Sequence, residues 1–324
     1  MENNEENRLN LTEFSAKIGQ LKSEIAKVIV GQEDAVDLLL TAVLSNGHVL
    51  LEGVPGVAKT LMAKLVSKLI DAKFTRVQFT PDLMPSDILG TTVFNMQSSS
   101  FNFHQGPVFT DILLVDEINR APAKTQSALF EVMEERQVTI DGTCHELGDF
   151  YTVVATQNPV EQEGTYKLPE AQLDRFLMKI TIGYPSVENE IEILNRHQTP
   201  SFSVKLEHVE PIIRIDEIME LRKVVKSVYL EPSLLKYIAE IVANTRNSKA
   251  VFLGASPRAS VAMLNASKAF AVLQGRDYVT PEDIKFVAPY VLQHRIQLTA
   301  EAEMEGLGTV TVINRLIEKV EVPR

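Results

Sequence analysis

Cysteine is nearly absent from this chain. Cys144 stands alone, which excludes an intramolecular disulfide and a multi-cysteine zinc cage, and it matches a reducing compartment. Positive charge is also in deficit, with 32 Lys and Arg against 43 Asp and Glu and a formal net charge of −11. The average interaction with phosphate is then repulsive, so broad binding to nucleic acid or to an anionic membrane is not expected. No apolar run reaches the roughly 18 residues a membrane span needs. The longest candidate, Val36 to Leu51, is broken by Ser45, Asn46, Gly47 and His48. The start, MENNEENRLN, has no cationic segment leading into an apolar one, so no secretory signal is read there and a cytoplasmic location is the expectation. Glycine and proline, 15 each, stand at ordinary levels and leave little room for long disordered tracts.

What is present is a chain of 324 residues, 45% of them hydrophobic, enough for a sizeable core and for two domains. The stretch from Leu50 to Thr60, LLEGVPGVAKT, organises the rest. A short apolar strand runs into a turn at Gly53, Val54, Pro55, Gly56, Val57 and Ala58, and a helix opens at Lys59, Thr60 and Leu61. Gly53 and Gly56 let successive backbone N–H groups face an anion. The positive end of the helix favours phosphate, Lys59 adds a full charge, and the Thr60 hydroxyl suits a magnesium ion. Ala58 stands where such loops usually carry a last glycine. Helical dihedrals there would cost little, whereas a positive φ would cost about 1 kcal/mol or more.

The second informative stretch is DILLVDEINR, from Asp111 to Arg120. Ile112 to Val115 is an uninterrupted apolar run, as in a parallel strand covered on both faces. Asp116 and Glu117 follow at its carboxyl end, where ligands of open parallel sheets gather. Asp116 suits a hold on magnesium and Glu117 suits orienting and deprotonating a water. The strand Tyr151 to Ala155 ends in Thr156-Gln157-Asn158-Pro159. Asn158 either holds the attacking water, if the two strands are neighbours, or caps a turn before Pro159. Arg175, at the end of the short helix in LPEAQLDRF, either caps the last carbonyls or pairs with Asp174. Arg120 reads first as a surface arginine pairing with Glu131 or Glu134.

Taken in order, Met1 to Arg8 reads as a frayed tail, and a helix capped by Asn10 and Glu13 buries Phe14, Ile18, Leu21, Ile25, Val28 and Ile29. Gly31-Gln32 ends it. A helix over Glu33 to Leu44 follows, closed by Asn46-Gly47. Phe74 to Phe79 is expected as a strand and Pro81 to Gly90 as a loop. Val93 to Met96 with Ser100 to His104 is read as a hairpin with a polar tip. Pro122 to Glu135 reads as a helix, Gln137 to Leu147 as a hairpin about Asp141-Gly142, and Leu177 to Ile182 as a strand.

Past Tyr184-Pro185-Ser186 strand signals nearly vanish. Helices are expected over Val187 to Arg196, Ile215 to Val228, Glu231 to Thr245, Pro257 to Leu273, Pro281 to Leu292 and Thr309 to Val320, with Thr199 to Ile213 and Thr299 to Gly308 as connectors. The division expected is an α/β nucleotide-binding domain at 1–185, a parallel sheet flanked by helices, and a smaller all-α domain at 186–324.

GVPGVAKT, LLVDEINR, the Thr156-Gln157-Asn158 strand end, LPEAQLDRF and GASPRAS, in this order, resemble the AAA+ ATPases and specifically the MoxR family. FTPDLMPSDILG, GPVF and RAPAKTQSALFEVMEERQVTIDG extend the likeness over nearly residues 10 to 300. Loops of that family resemble this one in carrying alanine before the lysine. The resemblance implies ATP and Mg2+ as cofactors, with Lys59 and Thr60 as the Walker A pair, Asp116 and Glu117 as Walker B, and Asn158 as sensor 1. It makes Arg175 an arginine finger reaching the nucleotide of an adjacent subunit and Arg258 a sensor 2 on a helical lid. Val30, Gly31 and Gln32 match the segment beside adenine, and the two hairpins match inserts that project toward a central pore. It further implies a homo-oligomeric ring, expected as a hexamer, that remodels or matures a client not identified by sequence, with a von Willebrand factor A domain protein as the first partner to seek. The alternatives are a chelatase-type or DNA-associated motor, the latter disfavoured by the acidity, and an ATP-gated scaffold with little hydrolysis.

Overall fold

A computed structural model describes residues 2–159, 165–198 and 209–323, with side chains from residue 11 onward. The chain opens with α1 (Glu2–Val28) and α2 (Glu33–Leu44). The first helix begins upstream of the expected Asn10 cap, so most of the expected tail is helical. Ile18, Leu21, Ile25 and Ile29 are buried as the periodicity requires. Gly31, at φ 69°, separates the two helices, and Asn46, at φ 58°, ends the second.

Strand β1 (Val49–Gly53) leads through the loop to α3 (Lys59–Leu69) and β2 (Phe74–Gln78). Where a loop was expected, Pro85 opens a five-residue helix, α4 (Pro85–Leu89). Proline is well placed at a helix start, and the Asp87 carboxylate accepts the Met84 N–H at 2.7 Å. The hairpin β3 (Gly90–Asn95) and β4 (Ser100–Gln105) follows, then β5 (Ile112–Asp116), a short 3-10 turn at Ile118–Arg120, and α5 (Ala123–Glu135). A second hairpin, β6 (Gln137–Ile140) and β7 (Thr143–Glu146), turns at Asp141 and Gly142 with φ of 50° and 77°. Then come β8 (Thr152–Gln157), α6 (Glu170–Leu173) and β9 (Met178–Ile182).

Five strands form one sheet in the order β2-β5-β8-β1-β9, every pair parallel. β1 and β2 are therefore not neighbours: the α3 crossover carries the chain past two positions that β5 and β8 fill. Alternation is strict. Ile112 and Leu114 of β5 join one apolar cluster with Val49, Leu51 and Val154, while Leu113 and Val115 join a second with Leu50, Val153 and Ala155. A slip of one residue would exchange the two faces, so the register is fixed by burial on both sides.

The remaining elements are α7 (Val187–Gln198), α8 (Ile215–Ser227), α9 (Pro232–Asn247), β10 (Val251–Leu253), α10 (Pro257–Leu273), α11 (Pro281–Leu292), β11 (Gln297–Leu298), α12 (Ala300–Met304) and α13 (Thr309–Glu318). The expected connector at Thr199 to Ile213 lies outside the described residues up to position 208. The stretch expected as the other connector, Thr299 to Gly308, contains α12, whose cap is the Thr299 hydroxyl accepting the Ala302 N–H at 3.3 Å. This part is not wholly helical: β10 pairs with β11 in a small antiparallel ladder. α8 and α10 pack on α2, and Arg222 of α8 donates to the Val43 carbonyl at the end of α2 at 2.8 and 3.0 Å. One apolar cluster consequently runs from the sheet through α1, α2 and α3 into α8 to α13 without a break. Among the described residues no helix is long and apolar enough to cross a membrane.

Candidate nucleotide site

β1 delivers the chain to a crowded corner. A Cβ at Gly53 would come within 2.6 Å of the Ile182 carbonyl oxygen of β9, so only glycine lets the two strand ends close up. Gly56, at φ 88°, makes the turn and has open space where a side chain would stand. Ala58 is left-handed, at φ 62° and ψ 19°, so the methyl group there is strained by about 1 kcal/mol. α3 then begins at Lys59, whose ammonium is bound to the carbonyl oxygens of Gly53 and, at 3.0 Å, Val54. The lysine is thus folded back onto the carbonyls of its own turn.

Opposite the loop, β5 and β8 end side by side. The Asp116 side chain is 8% exposed, and its Oδ1 accepts from the Thr60 hydroxyl at 3.3 Å and the Thr156 hydroxyl at 3.2 Å. Thr156 in turn accepts the Glu117 N–H at 3.0 Å, which fixes that residue at φ 56°, ψ 52°. The turn re-aims the Glu117 carboxylate, which lies 3.0 Å from Arg120 Nε and accepts from Gln78 Nε2 at 2.8 Å. Among the described residues Arg120 pairs with Glu117 rather than with Glu131 or Glu134. Asn158, largely buried at the end of β8, faces the same space.

Pro55 to Leu61, Asp116, Glu117 and Asn158 line one open cleft of about 370 Å³, together with Arg76, Gln78, Thr156 and Gln157. Two carboxylates and a hydroxyl are hard oxygen donors, the set a magnesium ion takes. A cation already sits at this acid: Arg76 Nε is 2.5 Å from Asp116 Oδ2. With the amide-rich turn, the open space at Gly56 and a lysine, the residues fit a nucleotide triphosphate and its metal.

Gly31 and Gln32 lie beside a second cleft, lined also by Ile180 and Thr181 of β9 and by Tyr290 of α11, and Val30 precedes them half-buried. Gln32 Nε2 donates to the Gly183 carbonyl at 3.3 Å. Gly183 directly follows Ile182, the register partner of Gly53, so this segment is tied to the strand end next to the loop.

Arg175 and Arg258 are brought together elsewhere. Arg175 donates to the Phe130 carbonyl of α5 and lies 3.8 Å from Glu134. Arg258, at the start of α10, binds the same carboxylate at 3.1 Å and approaches Asp174 at 4.0 Å. Asp174 is engaged by Arg295 at 2.7 Å, not by Arg175. Neither Arg175 nor Arg258 lines the cleft of its own chain. Nothing in the local sequence assigns a role to Arg76, Gln78, Thr156 or Tyr290. The signal for the first two was parity, since positions 76 and 78 of a strand share one face.

Residues 48–178 match the profile described as ATPase family associated with various cellular activities (AAA), and residues 243–316 match an AAA lid domain. The chain is 46% identical to the uncharacterized protein YeaC of Bacillus subtilis, over 94% of this chain and 95% of that one. It is 43% identical to chaperone MoxR1 of Mycobacterium tuberculosis, over 93% of this chain and 81% of that one. A crystal structure of a presumed ATPase from Cytophaga hutchinsonii superposes with a TM-score of 0.89 at 43% identity, covering 100% of this chain and 99% of the other. With Lys59, Thr60, Asp116 and Glu117 converged on one cleft and likeness running the length of the chain, the protein belongs to the MoxR family of AAA+ ATPases.

Proposed function

We propose that the protein hydrolyses ATP at a site shared between adjacent subunits of a ring and uses the cycle to remodel or mature client proteins in the cytoplasm. The observation that carries this reading is a separation. Lys59, Thr60, Asp116, Glu117 and Asn158 meet in one cleft, while Arg175 and Arg258 are held together on Glu134 outside it. Each chain thus has most of a catalytic site and, elsewhere, two arginines suited to complete a neighbour's. Arg258 acts on this reading in trans with Arg175, not on the nucleotide of its own chain.

Bound magnesium would neutralise phosphate charge, held by Thr60 and Asp116. Lys59 leaves the Gly53 and Val54 carbonyls for the outer phosphates, and the amides of the turn cradle them. Glu117 takes a proton from water that the Asn158 amide holds in line. Arginine from the neighbour stabilises the transition state, an effect on the order of a thousandfold or more in rate. The residues from 186 onward serve as a lid, with Tyr290 near the adenine segment. A hexamer is the ring size proposed, and a von Willebrand factor A domain protein is the first partner to test.

A second reading, a nucleotide-gated scaffold, draws on the pairing of both carboxylates with arginine, Asp116 with Arg76 and Glu117 with Arg120. Phosphate release from the purified assembly separates the two. Glu117→Gln and Arg175→Ala should each be inactive alone, and mixing them should restore turnover because some interfaces then carry both intact halves. Intact mixed rings with no recovery would remove the shared site.

A further inference from the structure

Arg76 and Gln78 project from the same face of β2, the strand at the edge of the sheet beside β5. Gln78 is the register partner of Asp116, so this face overlies both acids at the end of β5. Gln78 reaches Glu117 and Arg76 reaches Asp116. The two oxygens of Asp116 are used differently: Oδ1 accepts from two hydroxyls, and Oδ2 meets the guanidinium at 2.5 Å. Asp116 is 8% exposed, so its charge needs a partner, while Arg76 is 54% exposed and lines the same cleft as Lys59.

We propose that Arg76 is a further nucleotide-site residue, the resident counter-cation of Asp116, which gives way to the divalent metal that accompanies ATP and passes to the phosphate tail. This rests on the reading of the cleft as a magnesium-nucleotide site. A divalent ion at Thr60 and Asp116 repels a guanidinium bonded to the same carboxylate. The displaced side chain is long, exposed and already in the cleft, and its planar fork suits phosphate oxygens. Arg76 thereby competes with the metal for Asp116; before metal binds it offsets that acid's charge beside the phosphate tail, and once displaced it adds its own charge to the nucleotide. The two roles have opposite signs in a binding measurement.

The experiment is binding of a fluorescent ATP analogue to the full-length protein, with Mg2+ titrated upward from a chelator-buffered, metal-free start. Arg76→Gln should lower the Mg2+ concentration at half-maximal effect by about tenfold and weaken metal-free nucleotide binding by about fivefold or more. Arg76→Lys, keeping the charge, should retain most of the metal-free affinity. A side chain that only braces the strand would alter thermal unfolding and leave both quantities in place. A folded Arg76→Gln protein whose Mg2+ midpoint and metal-free affinity both match the wild type overturns the proposal. Wild-type protein with no affinity for the analogue at any Mg2+ concentration overturns the underlying reading of the cleft instead.

Discussion

Glu134 accepts a hydrogen bond from Arg258 at 3.1 Å across 124 residues of sequence, from the last turn of α5 to the first of α10. The same carboxylate faces Arg175. One acid therefore sets the position of both arginines that the proposed mechanism sends to a neighbouring subunit. Glu134→Ala should lower turnover in the assembled ring by about tenfold, since a mispositioned charge loses transition-state stabilisation. Nucleotide affinity should stay within about threefold of wild type, because Glu134 does not line the cleft. Steady-state phosphate release and fluorescent nucleotide titration measure the two.

Thr156 joins the two acids, donating to Asp116 and accepting the Glu117 N–H. Thr156→Val keeps the shape but orphans that N–H, at a cost of about 1–3 kcal/mol. The left-handed turn at Glu117 should loosen and turnover should fall about tenfold, as expected when a base loses its aim. The check is kcat with an unchanged elution volume.

Ala58 holds φ at 62°. Ala58→Gly should relieve about 1 kcal/mol of strain and raise the melting temperature by about 2 °C, seen by calorimetry. This position marks a limit of the sequence. That Ala58 replaces a glycine was plain, but its φ depends on where α3 is docked, which no local pattern reports.

His48 is buried between the Met133 carbonyl, 3.1 Å from Nε2, and the Val153 N–H, which donates to Nδ1 at 3.0 Å. The ring is therefore neutral, with its proton on Nε2. Burial pushes its pKa down from 6.5 to about 4. Above pH 6.5 neither folded nor unfolded chain carries the proton and nothing changes. As pH falls from 6.5 toward 4 the unfolded chain takes up a proton that the folded chain refuses, so stability drops, by about 3 kcal/mol across the window. His294, also held well below its ordinary value by burial, acts in the same direction. Urea midpoints at pH 7.5 and 5 should separate more for wild type than for His48→Gln.

Arg295 is 4% exposed and held by Asp174 at 2.7 Å. Asp174→Asn leaves that guanidinium buried without its counter-charge, a loss of about 3–5 kcal/mol. The denaturation midpoint should fall sharply, with the slope unchanged. A shift under about 1 kcal/mol would mean that the Phe176 and Leu177 carbonyls suffice to hold Arg295.

Much of the architecture was legible because it rests on local periodicity. Pro257–Leu273 and Pro281–Leu292 were bounded correctly by their leading prolines and apolar spacing. The hairpin at Asp141-Gly142 followed from turn chemistry alone. Failures fall where partners are distant in sequence. β10 and β11, three and two residues long, carry too few positions for alternation to register. The order of strands that sets Arg76 over Asp116 is a property of the whole sheet. Glu134 gave no sign of gathering two arginines, because both come from segments more than a strand and a helix away.

The uninterrupted apolar cluster joining α2 to α8 and α10 has a mechanical consequence. Prising the helical half from the sheet would strip Val43, Leu221 and Met263 of their surroundings, at about 1.5–3 kcal/mol for each side chain bared to water. Among the described residues, that packing opposes cheap flexing of the helical half against the sheet. In the ring proposed above, a stroke driven at the phosphates would then move each subunit largely in one piece, with the bending left to the seams between subunits.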